Sequence, residues 1–347
     1  MPVITQPLPR NIIGDLTRKI ETNYDQVVAV FLFGSIAEGT WTDSSDLDVE
    51  VILNSAEGVD KRPALFVLDS VPVELHVHAA NRFEKAEEVA STTLGSHVMN
   101  SITIYDPTNF FSSIKSKTAE VYFTKPFIQS RMHNCLDVAH NHIQNAERFL
   151  SEGKLEFVPG SIHRATNCGI AMALFHFKKS NPTQRRCLSK LESILTNPEE
   201  QNIYHKIVDL LSLNEATSEL ATKAIAQGKK FHATLSHTLK RQRGPLWERN
   251  KHWYNAITRS YIIEGAKMLL QEKEYPASIF CTMMLANSPE IYDQIMPYFA
   301  KKHQEEVLFL LRGIFLFEEI QKPKIHKKIQ EARSIMNSIR ILQLGSS

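Results

Sequence analysis

Along the first 120 positions the apolar residues change period several times. From Asp15 to Tyr24 they recur at helical spacing, and Val27 to Phe33 is an unbroken apolar run ending at Gly34, as a buried strand does. Leu47 to Leu53 alternates apolar with acidic residues at period two. Pro72 to His78 alternates apolar residues with Glu74, His76 and His78, so both segments read as half-buried strands. Ala64 to Leu68 reads as another strand, Arg82 to Ala90 as a helix, and Ile102 to Tyr105 as a closing strand before Asp106-Pro107. The pattern predicts an α+β block built on a small mixed sheet.

From about Lys125 strand patterning gives way to helical spacing over Gln129 to Glu152, Ile162 to Lys179, Cys187 to Leu195, Glu200 to Leu213 and Glu215 to Lys230. Gly244-Pro245 punctuates the chain, and helical patterning resumes from Trp247 to Leu342. The expected organisation is an α+β unit over 1–120, an all-α helical bundle over 121–244 and a second helical region over 245–347. A chain of 347 residues exceeds what one core comfortably supports, which agrees with several domains.

Composition adds a compartment and a charge asymmetry. With 43% hydrophobic and 22% charged residues, the chain falls among globular proteins, and disorder is excluded. The formal charge of +2 creates no global field toward nucleic acid or membrane. Up to Ala119 there are 9 basic and 16 acidic residues, against 31 and 22 beyond. Either the later helices carry solvated basic faces, or they complement a polyanion held at the acidic unit. Cys135, Cys168, Cys187 and Cys281 form no C-x-x-C pair and read as reduced core thiols. Met1 to Thr5 shows no basic segment leading into an apolar run, and Val307 to Phe317 is interrupted by Arg312. The expectation is a cytoplasmic protein without a membrane span.

The chemistry concentrates between Phe33 and Val51. Asp46 and Asp48 lie two apart at the start of a strand, so their carboxylates share one face while Leu47, Val49 and Val51 take the other. Two fixed anions this close repel unless a hard divalent cation sits between them, and oxygen-only ligation suits Mg²⁺. Upstream, Gly34-Ser35 follows a strand directly and Gly39 lies a few residues on. Backbone N–H groups in such a turn can approach a triphosphate, with the Ser35 hydroxyl as a further donor. Glu74 stands on the polar face of its own strand, where a neighbouring strand would deliver a third carboxylate and allow two metals.

Gly34-Ser35, ten residues, Asp46-Leu47-Asp48 and then Glu74 resemble the DNA-polymerase-β-type nucleotidyltransferase superfamily. With Ile104-Tyr105-Asp106 closing the first block ahead of a helical bundle, the arrangement is most similar to the kanamycin-type antibiotic nucleotidyltransferases. The resemblance makes residues 1–120 a nucleotidyltransferase catalytic domain. It implies magnesium-dependent transfer of a nucleoside monophosphate from an NTP, with ATP the expected donor, to a hydroxyl-bearing small molecule such as an aminoglycoside-like antibiotic. Asp46 and Asp48 would hold one Mg²⁺, and Asp46, Asp48 and Glu74 a second. Gly34, Ser35 and Ser45 would take the nucleotide, and Glu74 is a candidate base. Kanamycin-type enzymes add a base from the first long helix. An ungapped register places Asn141 there, with Asp137 and His140 one turn away.

Several features carry plainer expectations. Glu50 continues the acidic face one pleat further and reads as exposed, and His76 and His78 read as solvated or hydrogen-bonded strand histidines rather than zinc ligands. Ser44 and Ser45 suit either phosphate contact or a turn. Basic and aromatic residues interleave from Lys240 to Tyr254, as in single-strand RNA surfaces, although a helix start with core-facing aromatics fits better. Nucleotidyl transfer to RNA, such as a tRNA end, or to a protein side chain is the alternative reading. A catalytically silent nucleotide-binding or antitoxin-like protein is the third reading.

Overall fold

The computed structural model describes residues 12–42, 45–55, 57, 64–179, 186–242, 256–286, 288–299, 301–316 and 321–345. The chain divides into two compact units. The first comprises Met1–Arg131 with Lys178–Thr183, and the second Met132–Phe177 with Gln184–Ser347.

The first unit is built on strands β1 (Val27–Phe33), β2 (Leu47–Leu53), β3 (Ala64–Leu68), β4 (Val71–Ala79) and β5 (Ile102–Tyr105). Their order is β3-β4-β2-β1-β5, with β2 and β4 parallel and the other neighbours antiparallel, so the sheet is mixed. On one face α1 (Ile12–Asn23) buries Ile12, Leu16 and Ile20 against Val30, Leu32, Val49, Val51 and Val73. On the other, Ala29, Phe31, Phe33 and Ile52 pack with residues of α2 (Ala86–Ala90), α3 (Leu94–Met99) and α4 (Phe110–Tyr122). Phe31 stacks on Phe111 of α4 with ring centroids 4.1 Å apart. Burial of a side chain this size contributes roughly 1.5–3 kcal/mol.

Two elements differ from their sequence expectation. The single helix expected over Arg82 to Ala90 is a 3-10 turn, Ala80–Phe83, followed by two short helices, α2 and α3. Helix α4 falls where no helix was expected, because its opening Phe-Phe-Ser-Ser has weak helical propensity. Tertiary packing of Phe111, Ile114 and Tyr122 forms it, and Asp106 caps it by accepting from the backbone N–H of Phe111 and Ser112 at 3.2 and 2.8 Å. Arg131 is buried and donates to the carbonyls of Ala90 and Tyr122, the last residues of α2 and α4. It thereby satisfies C-terminal groups that both helices leave open.

The second unit is helical. It contains most of α5 (Lys125–Ser151), then α6 (Val158–His176), α7 (Cys187–Ile194), α8 (Pro198–Leu210) and α9 (Ser218–Gln242). These are followed by α10 (Ala256–Gln271), α11 (Tyr275–Met283), α12 (Pro289–Ile295), α13 (Lys301–Ile314) and α14 (Lys322–Gly345). Helices on both sides of Pro245 share this unit: α9 packs on α10, α11 and α13, and α14 packs on α6 and α8. Pro245 itself and the aromatic part of the Lys240-to-Tyr254 segment lie outside the described residues. His163 of α6 is wholly buried and its Nε2 donates to the Phe280 carbonyl at 3.3 Å; burial pushes the ring down to about 3. None of the four cysteines forms a disulfide; Cys187 and Cys281 are buried and Cys135 and Cys168 half-buried. Among the described residues no helix is long and apolar enough to cross a membrane.

Candidate active site

The site forms where β1 ends and β2 begins. Beyond Phe33 the chain turns at Gly34, whose φ of 68° lies in the left-handed region. Glu38 N–H then donates to Gly34 O at 3.0 Å and Thr40 N–H to Ser35 O at 2.9 Å, closing a tight loop. Ile36 and Trp41 anchor that loop in the core beneath the sheet. Ser35 is buried, and its Oγ has no hydrogen-bond partner among the described residues. A buried hydroxyl left open in this way is costly unless a ligand completes it. Ser45 is also buried, but its Oγ accepts from Thr42 N–H at 3.0 Å and lies 3.2 Å from Thr42 Oγ1, so the hydroxyl is used within the loop. Asp43 and Ser44 lie outside the described residues.

Strand order assembles the acids. In register, Asp48 of β2 faces Phe33 across the antiparallel pair and Glu74 across the parallel pair with β4. Asp46 precedes β2 and is buried, whereas Asp48 and Glu74 are half-buried. One ligand atom from each of Asp46, Asp48 and Glu74 lies within 4.8 Å of the others. Such an all-oxygen, triply anionic donor set fits a hard divalent cation. The unpartnered Ser35 hydroxyl next to Gly34 fits the phosphate that such a cation would accompany. Gly34 itself has no space for a side chain, because a Cβ there would overlap Asp48 Oδ2.

The family model described as "Polymerase beta, Nucleotidyltransferase" matches residues 16–106, which span the loop, both strands and all three acids. Residues 16–106 form a nucleotidyltransferase domain of the polymerase β type. No curated protein matches it in sequence. Among solved structures it is similar to a nucleotidyltransferase-like protein from Exiguobacterium sibiricum 255-15. The identity is 12%, the match covers 89% of this chain and 87% of that one, and the TM-score is 0.34.

The acid face of this nucleotidyltransferase domain departs from expectation at Glu50. Rather than being exposed, Glu50 is 1% accessible and lies 2.8 Å from His78 Nε2 and 3.0 Å from His97 Nδ1. Burial alone would raise its carboxyl, but the hydrogen bonds from His78 and His97 and the charges of His78 and His76 outweigh that and hold it down to about 2. The reason is topological: β2 is internal to the sheet and α3 covers this half of the face. Ile52, an apolar residue in phase with Asp46, Asp48 and Glu50, is the sequence signal that this end of the face is not solvated. His97 carried no such signal. His76 Nε2 lies 3.3 Å from Glu74 Oε1. Burial opposes a charge on that ring, yet the hydrogen bond to Glu74 and the charges of Glu50 and Glu74 prevail and keep it above the usual imidazole range. His76 and His78 thus lie against Glu74 and Glu50 and form no zinc cluster among the described residues.

Proposed function

We propose that this chain is a nucleotidyltransferase that uses Mg²⁺ and ATP to place AMP on a hydroxyl of a small molecule, such as an aminoglycoside-like antibiotic, with release of pyrophosphate. The observation that carries the reading is the convergence of Asp46, Asp48 and Glu74 within 4.8 Å beside the turn that holds the open Ser35 hydroxyl.

Asp46, Asp48 and Glu74 are assigned to hold the metal. Gly34 and Ser35 meet the phosphates through backbone N–H and hydroxyl, and Ser45 serves the nucleotide side by closing the loop on Thr42. Two magnesium ions bound there would offset triphosphate charge and acidify the acceptor hydroxyl. Glu74 takes the acceptor proton as the acceptor oxygen bonds to the α-phosphorus. The bond from that phosphorus to its bridging oxygen breaks, and pyrophosphate leaves with the electron pair.

The test is transfer from each α-phosphate-labelled NTP, with Mg²⁺, to a panel of aminoglycosides, tRNA and protein. Label in an aminoglycoside product supports the proposal. Label in RNA or protein replaces the acceptor class, and nucleotide binding without any labelled product replaces the enzyme by a binding protein.

A further inference from the structure

The proposed chemistry leaves one cluster around the buried Glu50 unused. Glu50 lies between His78 and His97, and His97 stacks on Phe33 with centroids 4.0 Å apart and planes 16° apart. Phe33 meets His76 edge-on at 5.8 Å, and the His76 and His97 rings are 6.5 Å apart. His76 in turn reaches Glu74 Oε1. The line of groups therefore runs from a buried anion to the third acid of the site, and Phe33 joins it directly to the Gly34 turn.

Each contact has a physical consequence. Glu50 is deeply buried, with a hydrogen bond from His97 Nδ1 at 3.0 Å and His78 Nε2 2.8 Å away, so both rings sit against a buried anion. Phe33 and His97 flank the His76 ring, with centroids 5.8 and 6.5 Å away. Glu74 is the acid most in need of restraint, because its side chain is longer than those of Asp46 and Asp48 and their charges push it away. A carboxylate can accept from an imidazole on one oxygen and ligate a cation with the other, the arrangement by which outer partners orient metal ligands.

We propose that His76 is a positioning residue for Glu74, braced by the Glu50, His78 and His97 cluster, and that it holds the third carboxylate where a divalent cation needs it. This rests on the metal-site reading of Asp46, Asp48 and Glu74. The donor is Nε2–H of His76, the hydrogen that the contact with Glu74 selects.

The test is Mn²⁺ binding to the full chain, followed by water-proton relaxation without nucleotide, so that activity is not the readout. His76→Gln keeps an amide N–H near the position of Nε2, whereas His76→Leu removes the donor. His76→Asn, whose amide reaches only as far as Nδ1, replaces the leucine variant if that one does not fold. The expected result is Mn²⁺ affinity about 10- to 100-fold weaker in His76→Leu or His76→Asn, with most of it restored in His76→Gln. Wild-type affinity in His76→Leu, alongside lost binding in Asp48→Asn, overturns the inference and leaves the metal site standing. Equal weakening by leucine and glutamine also overturns it, since packing rather than donation would then be at work. Unchanged binding in Asp48→Asn overturns the metal-site reading itself.

Discussion

Asp48 Oδ2 occupies the space into which a Cβ on Gly34 would project. The glycine thus meets two demands at once, a left-handed φ and direct approach of the turn to a candidate metal ligand. Gly34→Ala should cost about 1–3 kcal/mol in backbone strain and displacement. It should also lower the transfer rate about 100-fold by moving Asp48. Thermal unfolding and labelled-nucleotide transfer measure the two effects separately, and an alanine variant of full activity would contradict the close approach.

Asp48→Asn should abolish transfer while leaving the fold intact. With Asp46 and Glu74 so close, removing one of three like charges relieves repulsion, and without metal the melting temperature should hold or rise, by on the order of 1 kcal/mol in stability. A marked loss of stability in metal-free buffer would show that Asp48 is structural.

Ser35→Ala removes a buried hydroxyl that has no partner among the described residues. Without ligand, stability should therefore hold or rise, while the KM for the NTP rises about tenfold, the worth of a hydrogen bond to a charged oxygen. Steady-state kinetics beside a melting curve decide this. A drop in stability without any change in KM would assign Ser35 to the loop instead.

The helical unit should weaken in mild acid. His163 is held down to about 3, largely by burial and further by the charge of Arg164, and His142 to about 4 for the same reasons. The unfolded chain takes up these protons near pH 6.5 while the folded chain refuses them. Stability is then fully present above about 6.5 and is lost as pH falls toward 3, at up to about 1.4 kcal/mol per pH unit for each ring. Urea unfolding between pH 7 and 4 gives the slope, and His163→Gln should flatten it; a pH-independent midpoint would refute the assignment.

Local pattern made much of this protein readable. The period-two run from Leu47 to Leu53 places Asp46 and Asp48 on one face, and the apolar run ending at Phe33 locates the Gly34-Ser35 turn. All five strands follow directly from such signals. Helix α4 was not legible, because its residues favour a helix only once Phe111 finds Phe31.

The sequence alone determined which side chains share a face, since the alternation of a strand depends only on neighbouring residues. It could not determine which strands lie side by side. Glu74 meets Asp48 because β4 inserts parallel to β2, and Glu50 is buried because α3 brings His97 over an interior strand. Both outcomes are set by packing between residues 26 and 47 positions apart, where the free energy belongs to the assembled sheet and its covering layer and not to any local segment.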